Sequence, residues 1–117
     1  MNVVMIGAGY VGLVSGACFA EFGATVTCVD TNESKIGDLE RGIIPIYEPG
    51  LEEIIIRNIQ NNRLFFSSNI AESIKKSEVI IIAVGTPQSD RGDADMQYVD
   101  SVVNTIKENL NNYKVIC

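Results

Sequence analysis

Short uninterrupted runs of apolar residues alternate along the chain with longer segments in which apolar residues recur at helical spacing. The runs are typical of strands buried on both faces, and the recurring spacing is typical of helices with one buried face. The pattern predicts strands at residues 2–6, 25–29, 64–67, 79–84 and from 114 onward, and helices at 11–22, 35–41, 51–60, 70–76 and 97–110.

Alternating strands and helices of this length favour right-handed crossovers, which build a parallel sheet with helices on both faces. We therefore predict an α/β fold of the Rossmann-like, doubly wound type, with three layers in the order αβα. Pro45 and Pro49 interrupt the helical pattern. Nothing divides the sequence, so residues 1–117 are predicted to form one domain. Because the chain stops inside the strand that begins at Lys114, we expect a fragment of a longer protein.

The 117 residues are 46% hydrophobic and 21% charged, which suits a globular domain with one core. A net charge of −6 without a basic cluster argues against nucleic acid or an anionic membrane as a partner. No apolar run approaches the ~20 residues that span a bilayer, so we expect a cytoplasmic protein. The sequence has no histidine, and Cys18, Cys28 and Cys117 lack metal-binding spacing. We expect no metal site, and we interpret Cys18 and Cys28 as core thiols.

Gly7, Gly9 and Gly12 form a G-x-G-x-x-G motif between the first predicted strand and the first predicted helix. In dinucleotide-binding folds the first glycine allows a tight turn, the second admits the diphosphate, and the third lets helix and strand approach closely. Free backbone N–H groups at the helix start then face the phosphates. A glycine-rich turn without a ligand is the alternative, and the order strand, motif, helix favours dinucleotide binding.

Asp30 ends the second predicted strand, 18 residues after Gly12, where an acidic side chain accepts hydrogen bonds from the adenosine ribose. A carboxylate there would repel a 2′-phosphate, so we predict NAD rather than NADP as the cofactor. The alternative is that Asp30 caps the next helix, although Thr31 and Asn32 could also do so.

Two further positions are candidates for cofactor contacts. Lys35 either donates to the ribose or adenine side of the pocket, or is a solvated helix residue. Thr86 follows the fourth predicted strand at its carboxyl end, where ligands bind in open α/β sheets. It either hydrogen-bonds the cofactor or belongs to a plain turn fixed by Pro87.

Several stretches of the chain together resemble the UDP-glucose/GDP-mannose dehydrogenase family of nucleotide-sugar dehydrogenases. They are residues 4–14, 29–35, 45–51, 83–87 and 92–95, of which the last three are more specific to the family than the glycine motif. Segment 47–51, Tyr-Glu-Pro-Gly-Leu, with the later Gly-Thr-Pro is most similar to the UDP-glucose branch. The resemblance also puts Tyr47 and Glu48 at the border of the cofactor cleft, where we favour loop packing over a direct contact.

The resemblance assigns roles to individual residues of this sequence. It implies that Asp30 and Lys35 bind the adenosine ribose and that Thr86 lies near the nicotinamide. It further implies that Tyr10 and Val11 meet the cofactor at the start of the first helix, Val11 through its backbone.

Members of this family oxidise the C6 alcohol of a nucleotide sugar to a carboxylate in two NAD-dependent steps. Their nucleophilic cysteine lies in a later domain and carries a thiohemiacetal and then a thioester. None of the three cysteines here matches it, so the resemblance implies a chain that binds NAD without turnover. The intact parent would act on UDP-glucose as a homodimer.

Other interpretations remain open on the sequence. The chain could belong to a GDP-mannose or UDP-N-acetyl-mannosamine dehydrogenase, or be a free-standing NAD-sensing regulatory module. A 3-hydroxyacid or 6-phosphogluconate dehydrogenase is disfavoured, because its cofactor domain would not account for segment 47–51.

Overall fold

The computed structural model of the protein describes residues 1–85 and 97–117. Thr86, Pro87 and the rest of the polar loop predicted up to residue 95 lie outside the described residues. The strands are β1 Asn2–Ile6, β2 Thr25–Val29, β3 Leu64–Ser67, β4 Val79–Ile82 and β5 Val115–Ile116. The helices are α1 Tyr10–Glu21, α2 Glu33–Glu40, α3 Leu51–Gln60, α4 Ile70–Lys76 and α5 Gln97–Glu108.

These strands form one parallel sheet in the order β3-β2-β1-β4-β5. The chain runs outward from β1 to β3, crosses back to place β4 on the other side of β1, and continues outward to β5. Helices α1, α2 and α3 pack on one face of the sheet, while α4 and α5 pack on the other. The prediction of a doubly wound, three-layer α/β fold is confirmed.

Strand β1 is the centre of both hydrophobic cores. Its side chains alternate, with Val3 and Met5 in the core under α1 and Val4 and Ile6 in the core under α4 and α5. All four are almost completely buried. This explains why the strand is an unbroken apolar run, since neither face meets water.

Several element boundaries differ from those predicted by one or two residues, and two of the differences have a reason visible in the backbone pairing or the hydrogen bonds. Helix α2 begins at Glu33 instead of residue 35, because the Asn32 side chain accepts the backbone N–H of Lys35 at 3.0 Å and caps the helix. Strand β4 ends at Ile82 instead of residue 84, because its partner β1 ends at Ile6, directly opposite Ile82.

The expectation of core thiols is confirmed for one cysteine and wrong for another. Cys28 is completely buried in β2, and burial raises the pKa of its thiol to about 12. Cys18 is exposed, because it lies on the side of α1 that faces away from the sheet. Because α1 is apolar on all sides, its sequence does not show which side faces outward.

A polar network joins the end of α1 to α3 and the start of β3. The side chain of Asn58, which is 0% exposed, donates to Glu21 Oε2 at 2.7 Å and to the Ile54 carbonyl at 2.8 Å. Its own oxygen accepts Arg63 Nε at 3.1 Å. Arg57 forms a two-pronged ion pair with Glu21. Every polar atom of the buried amide is therefore used, which is what burial of such a group requires.

We predict that Asn58→Ala lowers the free energy of unfolding by about 1–3 kcal/mol, because it removes three hydrogen bonds and leaves a buried void. Urea denaturation followed by circular dichroism measures the change. Asn104→Ala is the matched control, since Asn104 is an exposed residue of α5. Equal midpoints for the two variants would contradict a stabilising role for the network.

The same network predicts a pH dependence. The hydrogen bond from Asn58, followed by that from Arg57, lowers the pKa of Glu21 below its ordinary value. A carboxyl group with a lowered pKa in the folded state stabilises the fold above its unfolded pKa, and this contribution disappears as the pH falls through the folded pKa. We expect wild type to melt above Glu21→Gln at pH 7, with the gap narrowing in acid. A gap that is constant with pH would rule out this linkage.

Candidate functional site

The glycine motif lies at the carboxyl edge of the sheet, where the direction of winding reverses between β1 and β4. Open α/β sheets bind their ligands in this crevice. Two backbone hydrogen bonds hold the turn: the N–H of Gly7 donates to the Val29 carbonyl at 2.8 Å, and the N–H of Ala83 donates to the Ile6 carbonyl at 2.8 Å. The turn is thus fixed between the ends of β2 and β4.

The first and third glycines are required by the fold itself. Gly7 has a φ of +109°, and a Cβ on it would lie 2.5 Å from the carbonyl oxygen of Ala83. A Cβ on Gly12 would lie 1.8 Å from the carbonyl oxygen of Gly7. A side chain on Gly7 would collide with the backbone that follows β4, and one on Gly12 would collide with the turn, because α1 leaves the sheet in direct contact with it.

Gly9 has no such internal reason to be glycine. Its φ of −81° and ψ of −162° are accessible to any residue, and a Cβ built on it would meet nothing within 4 Å. The space in front of its backbone is therefore open. Such a glycine suits the close approach of a ligand better than the packing of the protein.

The start of α1 offers unpaired backbone donors beside this open space. The Gly9 carbonyl accepts the N–H of Leu13 at 2.9 Å, and no side chain caps the helix among the described residues. The N–H groups of Tyr10, Val11 and Gly12 precede the first intrahelical bond, so the helix leaves them free. Val11 is 65% exposed, which leaves this end of the helix open to an anion.

Asp30 connects the turn to the end of β2. Its Oδ2 accepts the backbone N–H of Ala8 at 3.1 Å, and its Oδ1 accepts the N–H of Asn32 at 3.0 Å. The ammonium group of Lys35 lies 3.7 Å from Oδ2. With a side chain 19% exposed, Asp30 keeps part of its carboxylate available for a further donor.

The charge of Asp30 follows from these neighbours. Partial burial would raise its pKa, but the N–H groups of Asn32 and Ala8 and the charge of Lys35 outweigh burial and lower it. The side chain is therefore a carboxylate at neutral pH. Because Asn32 caps α2, the alternative in which Asp30 is the helix cap is wrong.

A cavity of about 140 Å³ adjoins Asp30 on the α5 side of the sheet. Its apolar wall includes Ile70, Val84, Tyr98 and Val102, and its other lining residues are Ile6, Gly7, Val29, Asp30, Thr31, Ser101 and Thr105. The contribution of α5 was not predicted from the sequence. Tyr98, Ser101, Val102 and Thr105 follow helical spacing along one face, and their small and aromatic side chains near the helix start were the available signal.

A larger cavity of about 360 Å³ lies beside α4, at the amino-terminal part of the sheet. Its walls include Thr25, Thr27 and Phe65, together with Glu72 and Lys76, which pair with each other. None of the residues of the glycine turn lines this cavity, and neither does Asp30. We therefore assign the candidate site to the turn and not to this larger space.

The structure brings together most of the predicted site residues at one edge of the sheet. They are Gly7, Gly9, Tyr10, Val11, Gly12, Asp30 and Lys35. Thr86 lies outside the described residues, so its role stays a prediction. The described part of the chain holds no cluster of His, Cys, Asp or Glu suited to a metal ion, and no helix in it is long and apolar enough to cross a membrane.

The sequence profile of the UDP-glucose/GDP-mannose dehydrogenase family, NAD binding domain, matches residues 1–117. The chain is 54% identical over 115 residues to the UDP-glucose 6-dehydrogenase TuaD of Bacillus subtilis, covering 98% of this chain and 25% of that protein. It is 49% identical over 118 residues to a UDP-glucose 6-dehydrogenase of Rhizobium meliloti, covering 99% of this chain and 27% of that protein.

Solved structures of related enzymes have the same fold. A ternary complex of GDP-mannose dehydrogenase from Pseudomonas aeruginosa superposes with a TM-score of 0.87 at 36% identity, over 91% of this chain and 24% of that one. A UDP-glucose dehydrogenase from Pyrobaculum islandicum gives 0.86 at 37% identity, over 90% and 24%. The chain spans about a quarter of the length of the relatives it matches. From its glycine turn, its sheet order and these matches, we conclude that the chain belongs to the UDP-glucose/GDP-mannose dehydrogenase family and is an NAD-binding domain of that family.

Proposed function

We propose that this chain is the cofactor-binding part of a nucleotide-sugar dehydrogenase that oxidises the C6 alcohol of UDP-glucose to UDP-glucuronate with two NAD. The observation that carries the cofactor-binding part of the proposal is the open space at Gly9, which adjoins both the unpaired N–H groups of α1 and the ionised Asp30. A dinucleotide needs a site for its diphosphate and, beside it, an acceptor for its ribose hydroxyls, and the site offers both.

The residues present fit NAD in three regions. The N–H groups of Tyr10, Val11 and Gly12 would hold the diphosphate, assisted by the positive end of the α1 dipole. Asp30 and Lys35 would bind the ribose hydroxyls, the first as acceptor and the second as donor. The apolar wall of the 140 Å³ cavity would receive the adenine ring. NAD, when bound, would supply the hydride acceptor of the oxidation.

The preference for NAD over NADP rests on Asp30. The hydrogen bonds from Ala8 and Asn32 keep the carboxylate charged and fixed at the end of β2. A phosphate on the adjoining ribose would be held close to this negative charge in a partly buried setting. Lys35 is already paired with Asp30, which weakens its ability to compensate a second anion.

The choice of UDP-glucose as substrate is supported by the two relatives of 54% and 49% identity, both UDP-glucose 6-dehydrogenases. The solved structures also include GDP-mannose and UDP-N-acetyl-mannosamine dehydrogenases, which makes another nucleotide sugar the second candidate. We assign no catalytic residue to the chain, and we propose that the sugar site and nucleophile belong to a longer cytoplasmic, homodimeric parent. The chain alone would bind cofactor without turnover.

We predict that the chain binds NADH at least about tenfold more tightly than NADPH, because Asp30 repels the 2′-phosphate. Asp30→Asn keeps an oxygen acceptor for Ala8 and removes the charge, so it should bring the two affinities close together. Fluorescence titration measures both. Asp38→Asn is the matched control, since Asp38 pairs with Arg41 on the surface of α2. Equal affinities in wild type would remove the proposed role of Asp30.

A second prediction tests the glycine turn. Gly9→Ala should lower the melting temperature only slightly, because no atom lies near the added methyl group, although alanine is a poorer N-cap residue than glycine. NADH affinity should fall at least about tenfold, since the methyl group would occupy the path of the diphosphate. Gly37→Ala is the control, because a Cβ on Gly37 also meets nothing within 4 Å. Wild-type affinity in Gly9→Ala would sink the proposed site.

A further inference from the structure

The first residue of α1 makes a long-range contact that the cofactor site described above does not include. The hydroxyl group of Tyr10 donates to Glu48 Oε2 at 2.7 Å, across 38 residues of sequence. The tyrosine is 53% exposed and Glu48 is half-buried. This hydrogen bond, and next the negative charge of Glu48, raise the pKa of Tyr10, so the phenol stays protonated and remains a donor.

Glu48 is a firm attachment point, because the segment around it is held on both sides. Its carbonyl accepts the N–H of Leu51 at 3.0 Å, at the start of α3. Leu51 and Ile55 of α3 are buried in the core under α1. Ile46, before Glu48, packs against the same core. The backbone of Glu48 therefore has little freedom to follow a moving Tyr10.

Gly9, directly before Tyr10, has the opposite character. Its carbonyl accepts the N–H of Leu13 at 2.9 Å, but no side chain caps it and no atom lies near its Cβ direction, so backbone alone restricts the peptide that joins it to Tyr10. A glycine also loses more conformational freedom on ordering than any other residue. This loss of freedom would weaken the binding of a diphosphate to the N–H groups of Tyr10 and Val11, unless another contact already holds the peptide in place.

We propose that Tyr10 and Glu48 are positioning residues, whose hydrogen bond holds the start of α1 in the geometry that receives the diphosphate of the cofactor. This inference rests on the proposed function, and it assigns to segment 47–51 a role in cofactor affinity through Glu48. Because the contact acts on the phosphate-binding backbone, it supports phosphate-bearing ligands and not the adenosine part alone.

The test measures binding of NADH directly, and of ADP and adenosine by competition. Tyr10→Phe should weaken NADH and ADP about three- to tenfold, the effect of one hydrogen bond, and leave adenosine unchanged. Glu48→Ala should match it, and Glu48→Gln should recover most of the loss, because its amide oxygen still accepts the phenol. The double variant Tyr10→Phe with Glu48→Ala should be no weaker than either single variant.

Tyr113→Phe is the matched control, since it is the same substitution on a tyrosine that is 89% exposed and lies outside the candidate site. Wild-type NADH affinity in Tyr10→Phe would overturn the inference, as would equal losses for adenosine and ADP or additive losses in the double variant. Gly9→Ala distinguishes a failure of the positioning role from a failure of the proposed function. If NADH binding is lost in Gly9→Ala but intact in Tyr10→Phe, only the positioning role is refuted. If wild type does not bind NADH, the proposed function is refuted.

Discussion

The contact between α1 and the glycine turn is the constraint on which the site depends. Because nothing larger than hydrogen fits between Gly12 and the Gly7 carbonyl, the helix leaves the sheet at a fixed distance and direction. The residues at the carboxyl ends of β2 and β4 hold the same turn from either side, through the Val29 carbonyl and the Ala83 N–H. The position of α1 relative to the sheet, and with it the place of its free N–H groups, is consequently set by backbone contacts.

Asp30 links this backbone geometry to recognition. Its carboxylate accepts the N–H of Ala8 within the turn and the N–H of Asn32 just before α2, and it faces Lys35. In the proposed function, one side chain would both shape the turn and bind the ribose, which would couple the two halves of the site. Changing cofactor preference at this position therefore disturbs the turn as well, unless the replacement still accepts the hydrogen bond from Ala8.

The sequence predicted the elements well because each strand and helix buries a face whose period is visible in the apolar positions. Periodicity does not tell which other element a side chain meets. The contribution of Tyr98 and Ser101 to the cavity beside Asp30, and the hydrogen bond from Tyr10 to Glu48, depend on such long-range neighbours and were missed. The prediction that Cys18 is a core thiol was wrong for a related reason, since an apolar helix gives no sign of which side faces solvent.

The central position of β1 has a consequence for the dynamics of the site. Its backbone is paired with β2 on one side and β4 on the other, and Val4 and Met5 are sealed from solvent on the two faces of the sheet. Amide hydrogens in such a strand exchange with water only when the whole domain unfolds, while those of an edge strand such as β5 exchange through local opening. The glycine turn directly follows this central strand, so we expect the base of the site to persist for as long as the domain stays folded.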